Sequence, residues 1–372
     1  MKDKRVYAIA LTMIPGLGST SLRKLLDIYP DPQEIFSLPM MKLRTLFGSH
    51  VDIAEAIHAK STMTRAEEEV NFADRYHIRI LFCTDDGFPQ RLNNSCCTDT
   101  PILLYCHGTC DLNKERMLAV VGSRHATTHG KEATHRIIEG LQYPSPCIVS
   151  GLAYGIDTAA HSAALDNGLS TIAVLGHGLD RIYPTQNRTL AKRIIDQGGA
   201  LLTEYPSFSP ITPGNFPARN RIIAALSDAT LVVEAARTGG ALITAAIAGS
   251  YNREVMAVPG RPTDTYSEGC NNLIVDHRAN MIRNATDVCD LLGWPQETAS
   301  KEGIQQELFV QLDPTEQHII DLLIEHDILL LDELATACNL TLPRTAAILL
   351  DMELRGLIAA LPGGRYQTLG KR

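Results

Sequence analysis

Residues 117–180 contain three short apolar runs, and each run is followed by a glycine turn. The stretch reads MLAVVGSRHATTHGKEATHRIIEGL at 117–141, CIVSGLAYGIDTAAHSAAL at 147–165 and STIAVLGHGLD at 170–180. Strands that alternate with helices predict right-handed βαβ crossovers and a mostly parallel sheet covered on both faces. Ligands of such sheets bind beyond the carboxyl ends of the strands. The turns that follow the strands are therefore the predicted site.

The same alternation continues to residue 258. Six strands are predicted at Met117–Val121, Ile148–Ser150, Thr171–Leu175, Ala200–Glu204, Thr230–Glu234 and Glu254–Val258. The helices between them are predicted at His129–Leu141, Ala153–Leu165, Asn187–Asp196, Asn220–Leu226 and Ala241–Tyr251. The predicted fold class is α/β, with a Rossmann-like, doubly wound, mostly parallel sheet as the core.

Small domains are predicted on both sides of this core. Near the N-terminus, the turn Ile14–Gly18 precedes an amphipathic helix, which is the outline of a helix-hairpin-helix or SAM-like domain. The amides of such a turn can meet a DNA phosphate, but a capped helix in a small packing domain has the same pattern. Near the C-terminus, a winged-helix domain is predicted from three helices and a hairpin at Asp313–Ile324, Leu331–Cys338, Pro343–Arg355, Leu357–Leu361 and Arg365–Leu369.

The third helix of this tail carries little positive charge. It offers Arg344 and Arg355 against Asp351 and Glu353. A helix that reads the major groove needs more cations, so the pattern favours a protein contact or a weak DNA contact. We divide the chain into a helical domain at 1–70, a Rossmann-like domain at 71–295, a polar linker at 296–310 and a winged-helix domain at 311–372.

Charge and composition exclude several classes of protein. The 372 residues include 34 lysines and arginines against 42 aspartates and glutamates, for a formal charge of −8, and residues 296–372 hold 6 of the basic and 12 of the acidic groups. A protein that coats nucleic acid by charge alone is excluded, and any anion site in the nearly neutral core must be local. No apolar run approaches the roughly 20 residues of a membrane span, and the N-terminus lacks a signal peptide. With nine irregularly spaced cysteines, we expect a reduced, cytoplasmic protein without membrane insertion.

Glycine turns that can bind an anion follow three consecutive predicted strands. They are Gly122-Ser123-Arg124, Ser150-Gly151 and Gly176-His177-Gly178, the last followed by Arg181 and Tyr183. Backbone amides at such turns face anions, and Arg124 can hold a phosphate through two parallel hydrogen bonds. Arg181 stands where a GxGxxG fingerprint needs glycine, and a GxxxxGK[ST] motif is absent. Neither a dinucleotide site nor a P-loop is therefore predicted.

Arginines and aromatic residues accumulate after the later strands. The predicted start of one helix carries Phe216, Arg219, Asn220 and Arg221, and a second helix opens at Gly239-Gly240 beside Arg237. Neighbouring arginines repel each other unless an anion lies between them or a carboxylate such as Glu204 compensates. We predict that one groove collects Arg124, Arg219, Arg221 and Arg237 together with Tyr154, Tyr183, Tyr205 and Phe216 as stacking platforms. Cations along a backbone track and aromatic platforms are what single-strand binding requires.

These motifs resemble the DNA-processing protein A (DprA/Smf) family. The matching segments are Val121–Arg124, Ser150–Asp157 with Ala160-His161, Gly176–Asp180 with Tyr183-Pro184, Glu204–Pro206, Phe216–Ile223, Gly239–Ala245 and Arg253–Gly260. The segment from Phe88-Pro89 to Gly108 is similar to the family's lead-in, so the resemblance covers residues 88–290 in order. The helical and winged-helix flanks match the family's optional flanks less strictly.

The resemblance implies a non-enzymatic protein of DNA uptake in natural transformation. Such proteins bind and protect incoming single-stranded DNA, displace single-strand binding protein and load the RecA recombinase. No cofactor, metal ion or catalytic residue is implied. Family members form homodimers through the end of this domain, which corresponds to Cys270–Met281 here.

The resemblance also implies where DNA binds. The family's phosphate pocket carries over to Gly122, Ser123 and Arg124, whereas the lysine that relatives often place at the Tyr-Pro turn is absent, since Thr185 stands in the turn. Arg181 or Arg188 would replace it. The residues predicted to contact DNA are Gly122, Ser123, Arg124, Ser150, Gly151, Gly176, Gly178, Arg181, Tyr183, Asn187, Arg188, Phe216, Arg219, Asn220, Arg221, Gly239 and Gly240.

Two other functions remain open. A Rossmann-like nucleotide-monophosphate hydrolase, of the lysine decarboxylase-like type, would use Glu234 or Glu204 as acid or base, but Thr238–Thr244 lacks the glutamate of a PGGxGTxxE run. Asp157 and His161, at i and i+4, could form an acid/base or metal pair, although a helix-stabilising contact is favoured because a third ligand is lacking. A winged-helix DNA-binding regulator would prefer duplex DNA to single strands.

Overall fold

The computed structural model describes residues 3–94, 96–295, 313–326, 328–355, 357–361 and 365–368. Two compact units are present, Met1–Glu297 and Thr298–Arg372. The predicted linker at 296–310 and the predicted wing turn at 362–364 lie outside the described residues. The predicted division of the first unit into domains at residue 70 stays a prediction.

Six helices form the N-terminal part of the first unit. They are α1 (Lys4–Thr12), α2 (Ser19–Ile28), α3 (Pro32–Ile35), α4 (Met40–Phe47), α5 (Val51–His58) and α6 (Met63–Arg75). Their apolar faces bury a cluster that includes Ile9, Ile35 and Ile57, and this cluster continues into Leu103 and Tyr105 of the sheet. Burial of large aliphatic side chains is the main stabilising contribution here. The helices are thereby attached to one edge of the sheet.

The helix-hairpin-helix turn packs against the protein itself. Leu17 is buried, and Gly16 takes a φ of +81°, which the turn requires of a glycine. Arg23 on α2 donates to the backbone carbonyls of Thr100 and Leu92, both at 3.0 Å. Burial lowers the pKa of Arg23, and these carbonyls compensate its desolvation. On the side of α2 that carries Arg23, the turn and the helix therefore serve to pack the N-terminal helices against the rest of the unit.

Nine strands form one sheet in the described part of the first unit. They are β1 (Arg79–Phe82), β2 (Leu103–Gly108), β3 (Met117–Val121), β4 (Cys147–Ser150), β5 (Thr171–Val174), β6 (Ala200–Thr203), β7 (Ala229–Val232), β8 (Glu254–Ala257) and β9 (Asn280–Met281). Their order is β1-β2-β6-β5-β4-β3-β7-β8-β9. All neighbours from β6 to β9 are parallel, whereas β2 is antiparallel to β1 and β6. The six predicted strands are confirmed, with ends that differ by one or two residues.

Helices cover both faces of the sheet, as predicted. They are α7 (Thr128–Glu139), α8 (Ile156–Asp166), α9 (Arg188–Asp196), α10 (Asn215–Leu226), α11 (Gly240–Ser250), α12 (Glu268–Val275) and α13 (Ala285–Leu292). In β3, Leu118 and Val120 pack with α7 and α8, whereas Ala119 and Val121 pack with α10 and α11. This alternation follows from the two-residue period of a strand.

The strand order places a switch point between β3 and β7. The chain builds the sheet outward from β3 through β4, β5 and β6, and then returns to the other side of β3 to form β7 and β8. Crossovers on the two sides of this point put helices on opposite faces, so a crevice opens at the carboxyl ends of the two strands. The turns that begin at Gly122 and Glu234 lie at this crevice.

Helix α10 begins five residues earlier than predicted, at Asn215 instead of Asn220. Pro217 is the third residue of the observed helix. A proline is tolerated in the first turn of a helix, because the amides there have no acceptor within the helix. The shift places Arg219 and Asn220 in the second turn, where they lie beside the sheet.

The second unit is a winged helix, as predicted. Its elements are α14 (Pro314–His326), β10 (Leu329–Leu330), α15 (Leu331–Ala337), α16 (Leu342–Leu354), β11 (Ile358–Leu361) and β12 (Arg365–Thr368). The two-residue strand β10, which the sequence did not predict, pairs with β12 and completes a three-stranded sheet. The core contains Ile319, Leu323 and Leu349. A helix able to span a bilayer is not found among the described residues of the chain.

Candidate nucleic-acid interface

A cavity of about 1220 Å³ opens at the switch point of the sheet. Its lining comes from the turn Gly122–His125 after β3, from the start of α10 (Phe216–Asn220), from residues 235–244 around the start of α11, and from Tyr183 and Tyr266. We call it the switch-point cavity. A volume of this size is large enough for several nucleotide-sized groups.

The turn after β3 presents an available cation. Ser123 donates its amide to the carbonyl of Glu234 at 2.8 Å, and its Oγ accepts the amide of His125 at 3.0 Å. Arg124 is exposed, and the carbon of its guanidinium lies 5.6 Å from the centre of the Phe216 ring. Among the described residues, Arg124 has no carboxylate partner in an ion pair. Its charge is therefore free to meet an anion.

Two glycines allow this turn to lie against α8. A Cβ on Gly122 would come within 2.5 Å of Cγ1 of Ile156, and a Cβ on Gly155 within 2.1 Å of the Ser123 carbonyl oxygen. Gly155 also has a φ of +77°, which disfavours other residues. The Ile156 amide donates to the same Ser123 carbonyl at 3.1 Å. The turn is thus held from both sides.

Helix α11 presents the backbone amides of its first turn to the cavity. Its N-cap Gly239 provides no side-chain hydrogen bond, so the first-turn amides have no cap. A Cβ on Gly239 would meet nothing within 4 Å, and one on Gly240 only Nδ2 of Asn220 at 3.9 Å. The amides and the helix dipole favour an anion at this end of the cavity. Arg237, whose side chain is 80% exposed, stands beside them.

Aromatic rings form one side of the cavity. The Tyr183 and Phe216 rings lie 5.7 Å apart, and Tyr183 is 48% exposed. Nε2 of buried His177 accepts the Tyr183 amide at 3.2 Å, and burial lowers the pKa of His177, so its ring stays neutral and can accept. Arg124, Phe216 and Tyr183 therefore make a continuous stacking surface, as expected of a site for unpaired bases.

Arg219 lies in the floor of the cavity, but its guanidinium is turned to protein groups. The residue is 3% exposed, and its Nη1 donates to the carbonyls of Gly151, at 2.6 Å, and of Val174. Oδ2 of buried Asp157 accepts the amides of Gly151 and Ala153, both at 3.2 Å. The sequence predicted that Arg219 and the Gly151 amide face a phosphate. In the structure, Arg219 instead joins α10 to the carboxyl ends of β4 and β5, and the Gly151 amide joins the end of β4 to Asp157 on α8. Buried polar groups must be paired internally in this way.

The sequence of this chain matches two known protein families. A model of the DNA recombination-mediator protein A family matches residues 79–293, which include the whole switch-point cavity, and a DprA winged helix domain model matches residues 307–364. The chain belongs to the DNA recombination-mediator protein A family. The DprA/Smf resemblance predicted from the motifs is therefore confirmed.

Individual members of the DNA recombination-mediator protein A family match over most of the chain. Protein Smf of Synechocystis is 32% identical over 98% of this chain and 99% of its own length, and Protein Smf of Escherichia coli is 38% identical over 88% and 94%. The crystal structure of DNA processing protein A from Streptococcus pneumoniae is 33% identical with a TM-score of 0.66, covering 79% of this chain and 99% of that one. The structure of DNA processing protein A from Helicobacter pylori is 29% identical with a TM-score of 0.53, and the match covers 59% of this chain and 98% of that one. That structure was determined to describe the single-stranded DNA binding mode of the Helicobacter pylori protein.

Eight residues predicted to contact DNA do not line the switch-point cavity of this family member, namely Ser150, Gly151, Gly176, Gly178, Arg181, Asn187, Arg188 and Arg221. Arg221 makes a two-point ion pair with Glu204, at 2.6 Å for each contact. Arg181 pairs with Asp180 at 2.6 Å, and the Asn187 amide group donates to the Leu152 carbonyl at 2.8 Å. Arg188 is exposed at the start of α9. The compensation of Arg221 by Glu204, an alternative that the sequence left open, is confirmed.

Several cavity residues were not predicted from the sequence. They are His125, Ile211, Thr212, Pro213, Thr238 and Tyr266. The rings of His125 and Tyr266 lie 6.4 Å apart, although the residues are far apart in the chain. The clue for Ile211–Pro213 was the length of the loop after β6, since long ordered loops in compact domains are usually functional.

The carboxylates of Glu234 and Glu204, which a hydrolase would use as acid or base, are both hydrogen-bonded to other protein groups. Oε1 and Oε2 of Glu234, which is 6% exposed, accept the hydroxyl and the amide of Thr127, at 2.5 and 2.9 Å. A Cβ on Gly130 would lie 2.2 Å from the Glu234 carboxyl carbon, so α7 packs directly on this side chain. With Glu204 paired to Arg221, both groups support loops in this structure.

His161 makes the stability of this region sensitive to acid. The predicted contact with Asp157 is replaced by a 2.7 Å hydrogen bond from Nδ1 to Thr171, whose hydroxyl donates to the Ile148 carbonyl. Burial, with a smaller contribution from the charge of Arg219, lowers the pKa of His161 to about 3. The unfolded chain therefore binds a proton below about pH 6.5 that the folded chain rejects.

We expect the free energy of unfolding to fall by about 1.6 kcal/mol between pH 6.5 and pH 5 through His161 alone, with a slope that approaches about 1.4 kcal/mol per pH unit at the acidic end. Urea unfolding at several pH values measures this slope. The His161→Gln variant should lose that part of the slope, whereas His135→Gln, which changes a half-exposed histidine on α7, should keep it. Equal slopes in wild type and His161→Gln would contradict the assignment.

Proposed function

We propose that this chain binds single-stranded DNA in the switch-point cavity. One observation carries the proposal: three features open into the same cavity. They are the guanidinium of Arg124, which has no ion-pair partner among the described residues, the first-turn amides of α11, which have no side-chain cap, and the neighbouring rings of Phe216 and Tyr183. Phosphates would lie near the Gly122–Arg124 turn and the start of α11, and bases would stack on the rings. The Helicobacter pylori relative, whose structure was solved for its single-stranded DNA binding mode, supports the choice of single-stranded DNA as the ligand.

The chemistry of the cavity favours unpaired over duplex DNA. Rings can stack only on bases that are not already stacked within a duplex. The overall charge of −8 gives no general attraction for nucleic acid, so affinity must come from the local cations and amides. Because Glu234 is hydrogen-bonded to Thr127 and Glu204 to Arg221, their carboxylates support a site that binds the nucleotide without hydrolysing it.

In the cell, we place this activity in DNA uptake and recombination. The protein would act in the cytoplasm, protect incoming single strands during natural transformation, and load the RecA recombinase while displacing single-strand binding protein. It would act as a homodimer through Cys270–Met281. Val275 and Met281, which are 73% and 50% exposed, support an apolar contact there, because the burial of such side chains favours association.

The winged helix fits a protein contact better than duplex recognition. On α16 and its end, Arg355 is bound by Glu316 and by Asp351, the latter at 2.9 Å. This leaves Arg344 as the exposed cation of the helix, and a single cation is weak support for groove binding. The proposed role of this unit is therefore to contact another protein.

A titration with short oligonucleotides tests the proposed function. We expect binding to a single strand at least tenfold tighter than to a duplex of the same sequence, with little sequence preference. Fluorescence anisotropy at two salt concentrations also gives the number of phosphates bound, since log Kd rises with log salt by about 0.7 per phosphate on a single strand. Equal or tighter binding to the duplex would support a winged-helix regulator instead.

A second experiment separates DNA binding from RecA loading. RecA-dependent strand exchange is measured on DNA that is already coated with single-strand binding protein. The chain is expected to restore exchange at concentrations that saturate the oligonucleotide. Tight single-strand binding without any restoration would retain the binding activity and remove RecA loading.

A further inference from the structure

Residues Glu204–Gly214, which we call the wall loop, connect β6 to α10 and contribute Ile211, Thr212 and Pro213 to the switch-point cavity. These three residues belong to no strand or helix, and their contact with α10 is made by Thr212, whose hydroxyl donates to Oδ1 of Asn215 at 2.6 Å and whose carbonyl accepts the Asn215 amide at 3.1 Å. A side of the cavity is therefore only as well ordered as the contacts of the wall loop with the rest of the unit. One of these contacts comes from the N-terminal helices.

Helix α6 binds the wall loop through a buried charged cluster. Glu69 is 2% exposed, and its carboxylate accepts the amide of Ser207 at 2.9 Å and the hydroxyl of Ser207 at 2.5 Å. Nη2 of Arg65 donates to the Ser207 carbonyl at 2.6 Å and to Glu69 at 2.8 Å. All three polar groups of Ser207 are thus bound by two residues of one helix. A buried carboxylate is tolerated only where it is hydrogen-bonded in this way.

A second contact lies next to the cluster. The Phe208 ring packs edge-on against Phe72 of α6, with centroids 5.7 Å apart. The Phe208 amide donates to Oδ1 of Asp180 at 2.7 Å. Phe208 itself has a φ of +61°, which is uncommon for a residue with a side chain. The backbone at residues 207–208 is therefore held between α6 and the turn after β5, three residues before the cavity wall begins.

We propose that Glu69 and Arg65 are positioning residues of the DNA site. By holding Ser207, they set the path of the wall loop, and Ile211–Pro213 then close one side of the cavity. The helical N-terminal region thus acts on the cavity through a loop and needs no DNA contact of its own. The part of this inference that concerns affinity rests on the proposed function, whereas the part that concerns the loop does not.

Hydrogen exchange and DNA affinity test the two parts separately in the full chain. In Glu69→Gln, which keeps the size of the side chain, we expect amides of residues 208–214 to exchange at least tenfold faster, and the Kd for a single-stranded oligonucleotide to rise about fivefold. Asp74→Asn is the matched control, because Asp74 is also on α6 but forms an exposed ion pair with Arg5. It should change neither quantity.

A double-mutant cycle shows whether Glu69 affects DNA affinity through the wall loop. In an Ile211→Ala background, Glu69→Gln is expected to lose most of its effect on affinity, whereas independent effects would multiply. Unchanged exchange at 208–214, or a full fivefold effect in the Ile211→Ala background, would overturn the proposal. If Glu69→Gln does not fold, Arg65→Met gives the same comparison, since Arg65 is partly exposed. If wild type binds no oligonucleotide, the proposed function fails, and the exchange result still decides the positioning role.

Discussion

Replacement of Arg219 by methionine is expected to lower the free energy of unfolding by about 3–5 kcal/mol, because it leaves a buried charge without its opposite charge. Burial lowers the pKa of Arg219 to about 10, against the effect of Asp157, so the guanidinium is still charged at neutral pH. The variant also leaves the carbonyls of Gly151 and Val174, which Arg219 binds, without this donor. Each unsatisfied buried acceptor adds to the cost.

Trp294 offers a direct measurement of this loss. It is the single tryptophan of the chain, and it packs against the core cluster beneath α7 and α8. Urea unfolding followed by its fluorescence therefore reports on the α/β sheet and not on the winged helix. A decrease below about 1 kcal/mol in Arg219→Met would contradict the structural role of the guanidinium.

Two further variants separate the charge of Arg219 from its hydrogen bonds. Asp157→Asn in the Arg219→Met background should recover part of the stability, since it removes the uncompensated carboxylate. Arg219→Lys should recover only part, because an ammonium group lacks the planar fork that reaches two carbonyls. Burial already raises the pKa of Asp157, and loss of Arg219 raises it further. The stability deficit of Arg219→Met should therefore shrink as the pH falls toward the ordinary pKa of an aspartate, because Asp157 then becomes protonated in the folded forms of both wild type and variant.

Arg219 also shows where sequence reasoning was limited. Local spacing located the strands β3 to β8 and the glycine turns after them, because burial on both faces leaves short apolar runs that glycine interrupts. The same spacing could not place Arg219, since it predicted that α10 starts at Asn220 and not at Asn215. A shift of five residues in a helix start turned a predicted phosphate ligand into a buried structural residue.

The edge of the sheet was not predicted for a different reason. Strand β1 has four residues and pairs with β2 across a connection of about twenty residues, so no hairpin signal marks the pair. Likewise, Tyr266 joins the cavity only because the chain folds back after β8. Contacts between distant segments leave no periodic trace in a sequence. Arg124 was easier to predict, because its turn is contiguous with a strand and with the helix that follows.

Arg124→Ala is expected to weaken single-strand binding thirty- to hundredfold, or by about 2–3 kcal/mol. The variant loses a charged pair of hydrogen bonds to phosphate and the stacking of the guanidinium on Phe216. Stability should change little, since Arg124 is exposed and has no ion-pair partner among the described residues. Anisotropy titrations with one oligonucleotide at several salt concentrations measure both the affinity and its salt dependence.

The salt dependence distinguishes a phosphate contact from a stacking contact. If Arg124 binds one phosphate, the slope of log Kd against log salt should fall by about 0.7 in Arg124→Ala and stay unchanged in Arg124→Lys, which keeps the charge. Arg124→Lys should still bind more weakly than wild type, because lysine provides neither the fork nor the flat face. Arg193→Ala is the matched control, since Arg193 lies on α9 in an exposed ion pair with Asp166. An unchanged Kd in Arg124→Ala, or an equal loss in Arg193→Ala, would place the DNA outside the switch-point cavity.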